Sequence, residues 1–163
     1  MKYYVIIFLA LLVFSHPSKS ADFMTSDEYW KGKTLYMSGD HKGAFSAWIK
    51  SAKSGIPEAQ GLIAGLYHAG HGVEKDYDKA YKWYEISAKK GFSPSQLGLG
   101  NMIADGLGIK KDYIKAHMWF NLSAANGNER GQYNLKKIEQ RMKMSEIKEA
   151  EKLANLWLKK YPQ

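Results

Sequence analysis

The sequence predicts an all-α fold, a stack of antiparallel helix pairs, and three observations carry that prediction. GHGVEKDYDKAYKWYEISAKKG, residues 70–91, returns as GLGIKKDYIKAHMWFNLSAANG, residues 106–127, with 11 of 22 positions identical at an offset of 36 residues. Self-similarity at such a period is the signature of stacked structural units. Between the shared glycines, small and apolar residues recur at the i, i+3, i+4 and i+7 spacing of a helix face. No alternating apolar–polar run competes as a strand.

The chain opens with Met1 and Lys2, an unbroken apolar run from Tyr3 to Phe14, and small residues at Ser18 and Ser20. That is the layout of a secretory signal peptide over residues 1–20, cleaved after Ser20. The run is too short for the roughly 20 apolar residues of a spanning helix. Residues 21–163 then form a single domain, 143 residues long, which is enough for a real core. With no cysteine, neither a lipid-modified N-terminal cysteine nor a disulfide is available, so helix packing alone must hold an exported fold together. Setting aside Lys2 and Lys19 leaves 22 basic against 16 acidic residues, a spread-out excess that serves solubility and says little about a partner.

A first unit, about 27–56, keeps Leu35–Gly39 (LYMSG) against Leu66–Gly70 (LYHAG), and Asp40, Ala44, Trp48, Ala52 and Gly55 against positions 76–91. Its inter-helix loop is five residues shorter, and Thr25 and Glu28 stand in capping-box spacing at its start. The second unit, 57–92, places Ala59, Ile63, Tyr67 and Gly70 on one helical face; Gly70 and Gly72 stop that helix. Asp76 caps the next helix, whose stripe is Ala80, Trp83, Tyr84, Ser87 and Ala88. The third unit, 93–128, repeats this with Leu99, Ile103, Gly106, Asp112, Ala116, Trp119, Phe120 and Gly127. A terminal unit over 129–160 begins around Gly131 and loses its glycines. Ser145 opens a lysine- and glutamate-rich capping helix, Glu146 to Lys160, with Ile147, Ala150, Leu153, Ala154 and Trp157 on one face.

At these residues the chain resembles the Sel1-like repeat family, exported bacterial type, relatives of the tetratricopeptide repeats. The motif is carried by Ala59, Ala64, Tyr67, Gly70, Gly72, Val73, Asp76, Lys79, Ala80, Trp83, Tyr84, Ala88 and Gly91, and again by Leu99, Gly100, Gly106, Gly108, Ile109, Asp112, Lys115, Ala116, Trp119, Phe120, Ala124 and Gly127. Departures are modest: Ile103 stands for a tyrosine and Ala64 for a glycine. The resemblance implies a right-handed α-solenoid of about three to four repeats that binds another protein or a peptide segment. It would act as an adaptor or regulator, or as an immunity protein neutralising an envelope-targeting toxin, in the periplasm or outside the cell. The alternative is a hydrolase acting on cell-wall or β-lactam substrates. The β-lactamase-like branch of the family is stapled by paired cysteines, which this chain lacks.

In such superhelices the first helix of each unit lines the concave face, so positions off its core stripe are the binding candidates. These are Trp30, Thr34 and Met37 in the first unit, and Glu58 and His68 in the second. The third gives Leu97, Asn101 and Asp105, and the fourth Tyr133, Lys137, Gln140 and Arg141. Gly61 and Gly65 either leave room for a ligand backbone or permit tight helix packing. Trp30 reads equally as N-terminal core, and Lys137 and Arg141 as a solvated face. The recurrent aromatics Trp48, Trp83, Tyr84, Trp119 and Phe120 read as core.

Catalytic chemistry is scarce. There is no nucleophilic cysteine, no G-x-S-x-G elbow and no phosphate loop. His68 and His71 straddle a helix end and lack the one-face spacing of a helical zinc motif. The expectation is a non-enzymatic protein with no cofactor, no metal, no nucleic-acid partner and no stable membrane insertion once the leader is removed.

Overall fold

The computed structural model describes residues 19–24 and 26–161. All the regular structure in them is helical: α1 Lys19–Met24, α2 Asp27–Met37, α3 His41–Lys53, α4 Pro57–Ala69, α5 Tyr77–Ala88, α6 Ser93–Asp105, α7 Tyr113–Ala125, α8 Glu129–Glu139 and α9 Met144–Lys160. The expected leader lies outside the described residues, except that residues 19 and 20 and the expected cut fall within α1. Among the described residues no helix is long and apolar enough to cross a membrane.

Helices α2/α3, α4/α5 and α6/α7 are the paired units, α8 opens a fourth, and α9 packs back on α7. The caps are those the sequence announces. Asp40, Asp76 and Asp112 accept from the backbone N–H of Gly43, Lys79 and Lys115 at 2.9, 2.8 and 3.0 Å. Gly70 and Gly106 close α4 and α6 in the left-handed conformation. Two starts differ from the sequence reading. Ser26 caps α2, accepting from Tyr29 N–H at 3.2 Å, and Thr25 lies outside the described residues. Helix α9 begins at Met144 rather than at Ser145, with the Glu146 carboxylate accepting from Lys143 N–H at 2.7 Å, so that glutamate closes the turn from within the helix.

Two apolar clusters form the core. One joins Phe23, Ala44, Trp48, Ala52, Ala59, Ile63 and Leu66; the other joins Leu99, Ile103, Ala116, Trp119, Phe120, Leu122, Ile138 and Ala154. Trp48, Trp119 and Phe120 are buried within them, and Trp83 and Tyr84 pack against them half-buried. Recurring polar bonds set the stacking. Ser87 Oγ donates to Pro57 O at 2.7 Å and Ser123 Oγ to Ser93 O at 2.8 Å, each tying the end of a unit's second helix to the start of its first. The Gln60 and Gln96 amides donate to Ala52 O and Ala88 O of the preceding unit. The loop glycine Gly108, at φ +68°, lies so close to the start of α5 that a Cβ there would stand 2.7 Å from Tyr77 O; Gly72 abuts the start of α3 at His41 in the same way.

Candidate binding face on the first helices

Combining the offset of 31 between the first two units with the later offset of 36 aligns candidate positions and their equivalents in other units into rows that cross α2, α4, α6 and α8 and the residues just past their ends. One row is Trp30, Gly61, Leu97 and Tyr133; a second is Thr34, Gly65, Asn101 and Lys137; a third is Ser38, Ala69, Asp105 and Arg141. Within a row the side chains differ as strongly as the core positions agree.

The most polar part lies between α6 and α8. A cleft of about 150 Å³ brings together Asn101, Asp105, Lys137 and Arg141, floored by Tyr113, Phe120 and Ile138. An adjoining, more open cleft of about 410 Å³ is lined by Leu97, Tyr133, Glu129 and Arg130 and shares Asn101 and Asn134 with the first. Asn134 Nδ2 donates to Asn101 Oδ1 at 2.7 Å and so bridges the two helices. Asn134 is a cleft-lining residue that sequence reasoning missed. Its signal was a polar amide at the row position where the earlier units carry Leu62 and Gly98.

Toward the N-terminus the face is more apolar. A cleft of about 230 Å³ is lined by Glu58, Gly61, Leu62, Tyr84 and Phe92, and another of about 290 Å³ by Tyr36, Trp48, Gly61, Leu62 and Gly65. The two glycines part company here. A Cβ on Gly61 would lie 2.6 Å from Ser95 Oγ and 2.9 Å from the Phe92 ring, so Gly61 serves helix packing. At Gly65 the nearest atom would be Tyr84 Oη at an ordinary 3.6 Å.

The remaining candidates are more scattered. Trp30 is not core: it is 52% exposed, edge-on to Tyr29 at 5.3 Å, with Lys33 Nζ 4.6 Å above its ring. Thr34 and Met37 are exposed on α2, Gln140 is the exposed C-cap of α8, and these four line none of the clefts above. His68 is half-buried against Tyr77, ring centroids 5.5 Å apart. Burial, then the Lys75 charge, pull its pKa below the ordinary imidazole value, while Asp105 pulls the other way. His71 instead stacks on His41 at 4.4 Å, and Tyr36 Oη lies 3.0 Å from its Nδ1, so His68 and His71 belong to different neighbourhoods. Among the described residues no three His, Cys, Asp or Glu side chains cluster as a metal site would require.

The Sel1 repeat family matches this chain twice, over residues 57–92 and 93–128, the second and third units. Among solved structures, the chain is similar to a protective antigen present in uropathogenic Escherichia coli strains, which displays an SLR fold. The identity is 29% and the TM-score 0.75, over 80% of this chain and 29% of that one. It is also similar to a Sel1 repeat protein from Oxalobacter formigenes, at 30% identity and TM-score 0.62, over 67% of this chain and 43% of that one. The chain thus spans less than half the length of either relative. No curated protein matches the sequence.

Proposed function

Taking the chain as a Sel1-repeat protein, we propose that it is an exported, non-catalytic binding solenoid whose concave face receives a segment of another protein. It works either as an adaptor or regulator in the cell envelope or as an immunity protein that occludes a toxin. One observation carries this reading. Recurring residues supply caps, core and inter-unit bonds, whereas the varying row positions of the third and fourth units line two connected clefts. Clefts that alternate apolar walls with a few fixed polar groups are what a bound chain segment needs for affinity and orientation.

The hydrolase alternative draws no comparable support. Hydrolysis needs a nucleophile and a base within hydrogen-bond reach, whereas the α6–α8 cleft gathers an amide pair, one carboxylate and two cations.

The test is cross-linking capture from envelope extracts, with captured chains identified by mass spectrometry. Asn101→Ala combined with Tyr133→Ala is expected to abolish capture while leaving helical circular dichroism unchanged. Capture that survives the double substitution overturns the assignment of the face. Cell-wall or β-lactam turnover abolished by a single polar substitution would overturn the non-catalytic reading. A captured toxin whose activity is lost on adding this protein selects the immunity role.

A further inference from the structure

We infer that the occupant of the α6–α8 cleft is an extended, acidic segment of the partner protein, with an apolar side chain beside its acidic one; this rests on the protein-binding reading above. The charge is the first argument. Lys137 and Arg141 are exposed and line the cleft opposite a single carboxylate, Asp105. Among the described residues the ion pairs are Asp76–Lys79, Glu85–Lys89 and Asp112–Lys115, and Glu139 faces the His117 ring at 3.2 Å, so neither cation has a carboxylate within 4.0 Å. Two unpaired cations facing one acid leave a positive surplus that a carboxylate would fill. An arginine adds a planar donor fork suited to that group.

Shape supplies the second argument. Asn101 and Asn134 hold α6 and α8 together across the cleft by a 2.7 Å bond, and the cavity beside them is about 150 Å³. A helix, about 10–12 Å across with its side chains, cannot wedge into such a space, whereas one side chain of an extended strand can. The Asn101 amide nitrogen and the Asn134 amide oxygen, the halves not used in that bond, remain to pair with a passing backbone.

Spacing completes the recognition pattern. Tyr133 and Lys137 stand one turn apart on α8, a rise of about 6 Å. Alternate residues of an extended chain lie about 6.6–6.8 Å apart on one side. A side chain in the Leu97–Tyr133 cleft therefore places the residue two positions on over Lys137. The favoured segment reads apolar, any residue, then aspartate or glutamate.

Selection from a phage-displayed library of random peptides tests this on the intact protein. Enrichment of aspartate or glutamate two positions from an apolar residue is expected, with selected peptides binding roughly tenfold more weakly once the acid is changed to its amide. Lys137→Gln with Arg141→Gln should erase that difference, and added salt should shrink it. Selection of neutral or basic segments overturns the inference, as does a preference that survives the double substitution. So does equal retention of both proteins on phosphatidylglycerol vesicles with no peptide preference. If no acidic preference appears but Asn101→Ala with Tyr133→Ala still abolishes capture of the natural partner, the inference fails and the binding face stands. If capture also survives, the face itself is wrong.

Discussion

The side-chain amide of Gln96 donates to the carbonyl of Ala88 at 3.3 Å, and Gln60 does the same to Ala52 at 3.1 Å one unit earlier. Both glutamines are buried, and both carbonyls lie near the end of the preceding unit's second helix, where each also accepts from a backbone N–H just past that helix, Gly91 to Ala88 and Gly55 to Ala52, both at 3.1 Å. The glutamine thus adds a second donor to that carbonyl and joins neighbouring units at a helix end.

Gln96→Ala should cost about 1–3 kcal/mol, because it removes two bonds, the one to Ala88 O and the one Gln96 Oε1 accepts from Asn126 Nδ2 at 3.0 Å. That lowers the melting midpoint by about 2–4 °C per kcal/mol for a chain of this size. Thermal unfolding followed by far-ultraviolet circular dichroism checks it. Gln132, the corresponding residue on α8, is exposed, and its replacement by alanine should change the midpoint little.

Gly108→Ala and Gly127→Ala separate backbone strain from contact. Both glycines have positive φ, +68° and +77°, so each alanine incurs the left-handed cost of about 1–2 kcal/mol. Only at Gly108 does the new methyl meet backbone, at Tyr77 O, while at Gly127 nothing lies within 4 Å. Chemical denaturation should show the Gly108 variant clearly the less stable of the two.

Trp119→Ala should be among the most damaging single changes, costing about 3–5 kcal/mol. Its ring is 5% exposed and meets Trp157 of the closing helix edge-on at 4.7 Å. Loss of the α9 contact should appear as faster amide hydrogen exchange in α9 than in α4.

His68 predicts a pH dependence of defined sign. Its pKa in the folded chain is lowered by burial first and by Lys75 next. Its contribution is therefore complete above the ordinary value near 6.5 and is lost as pH falls through that value, where the unfolded chain takes up the proton first. His68→Gln should flatten the curve of stability against pH in that window. Asp105→Asn removes the group opposing the shift and should steepen it.

Much of this architecture is written in the chain because each feature has a local cause. Asp76 and Asp112 cap helices through their own third neighbours, and Gly70 and Gly106 stop helices through their own φ. The face was harder to read, because it depends on what lies opposite. The same spacing argument covers Gly61 and Gly65, yet only Phe92 at the end of that unit and Ser95 on the next reveal that the first is packing. Trp30, which composition allows as core, stays exposed because the indole that closes against Gly32 of α2 is Trp48. Asn134 went unrecognised because its role exists only through Asn101.

Because Gly72 and Gly108 each rest on the opening residues of the second helix one unit back, these joints lie between adjacent modules. An in-frame duplication of residues 57–92 would arrive with both halves of its own joint, and would lengthen the proposed binding face by one rung without altering the rungs on either side. Such a chain can acquire a longer or different ligand by copying a module and then varying only the row positions on its first helix.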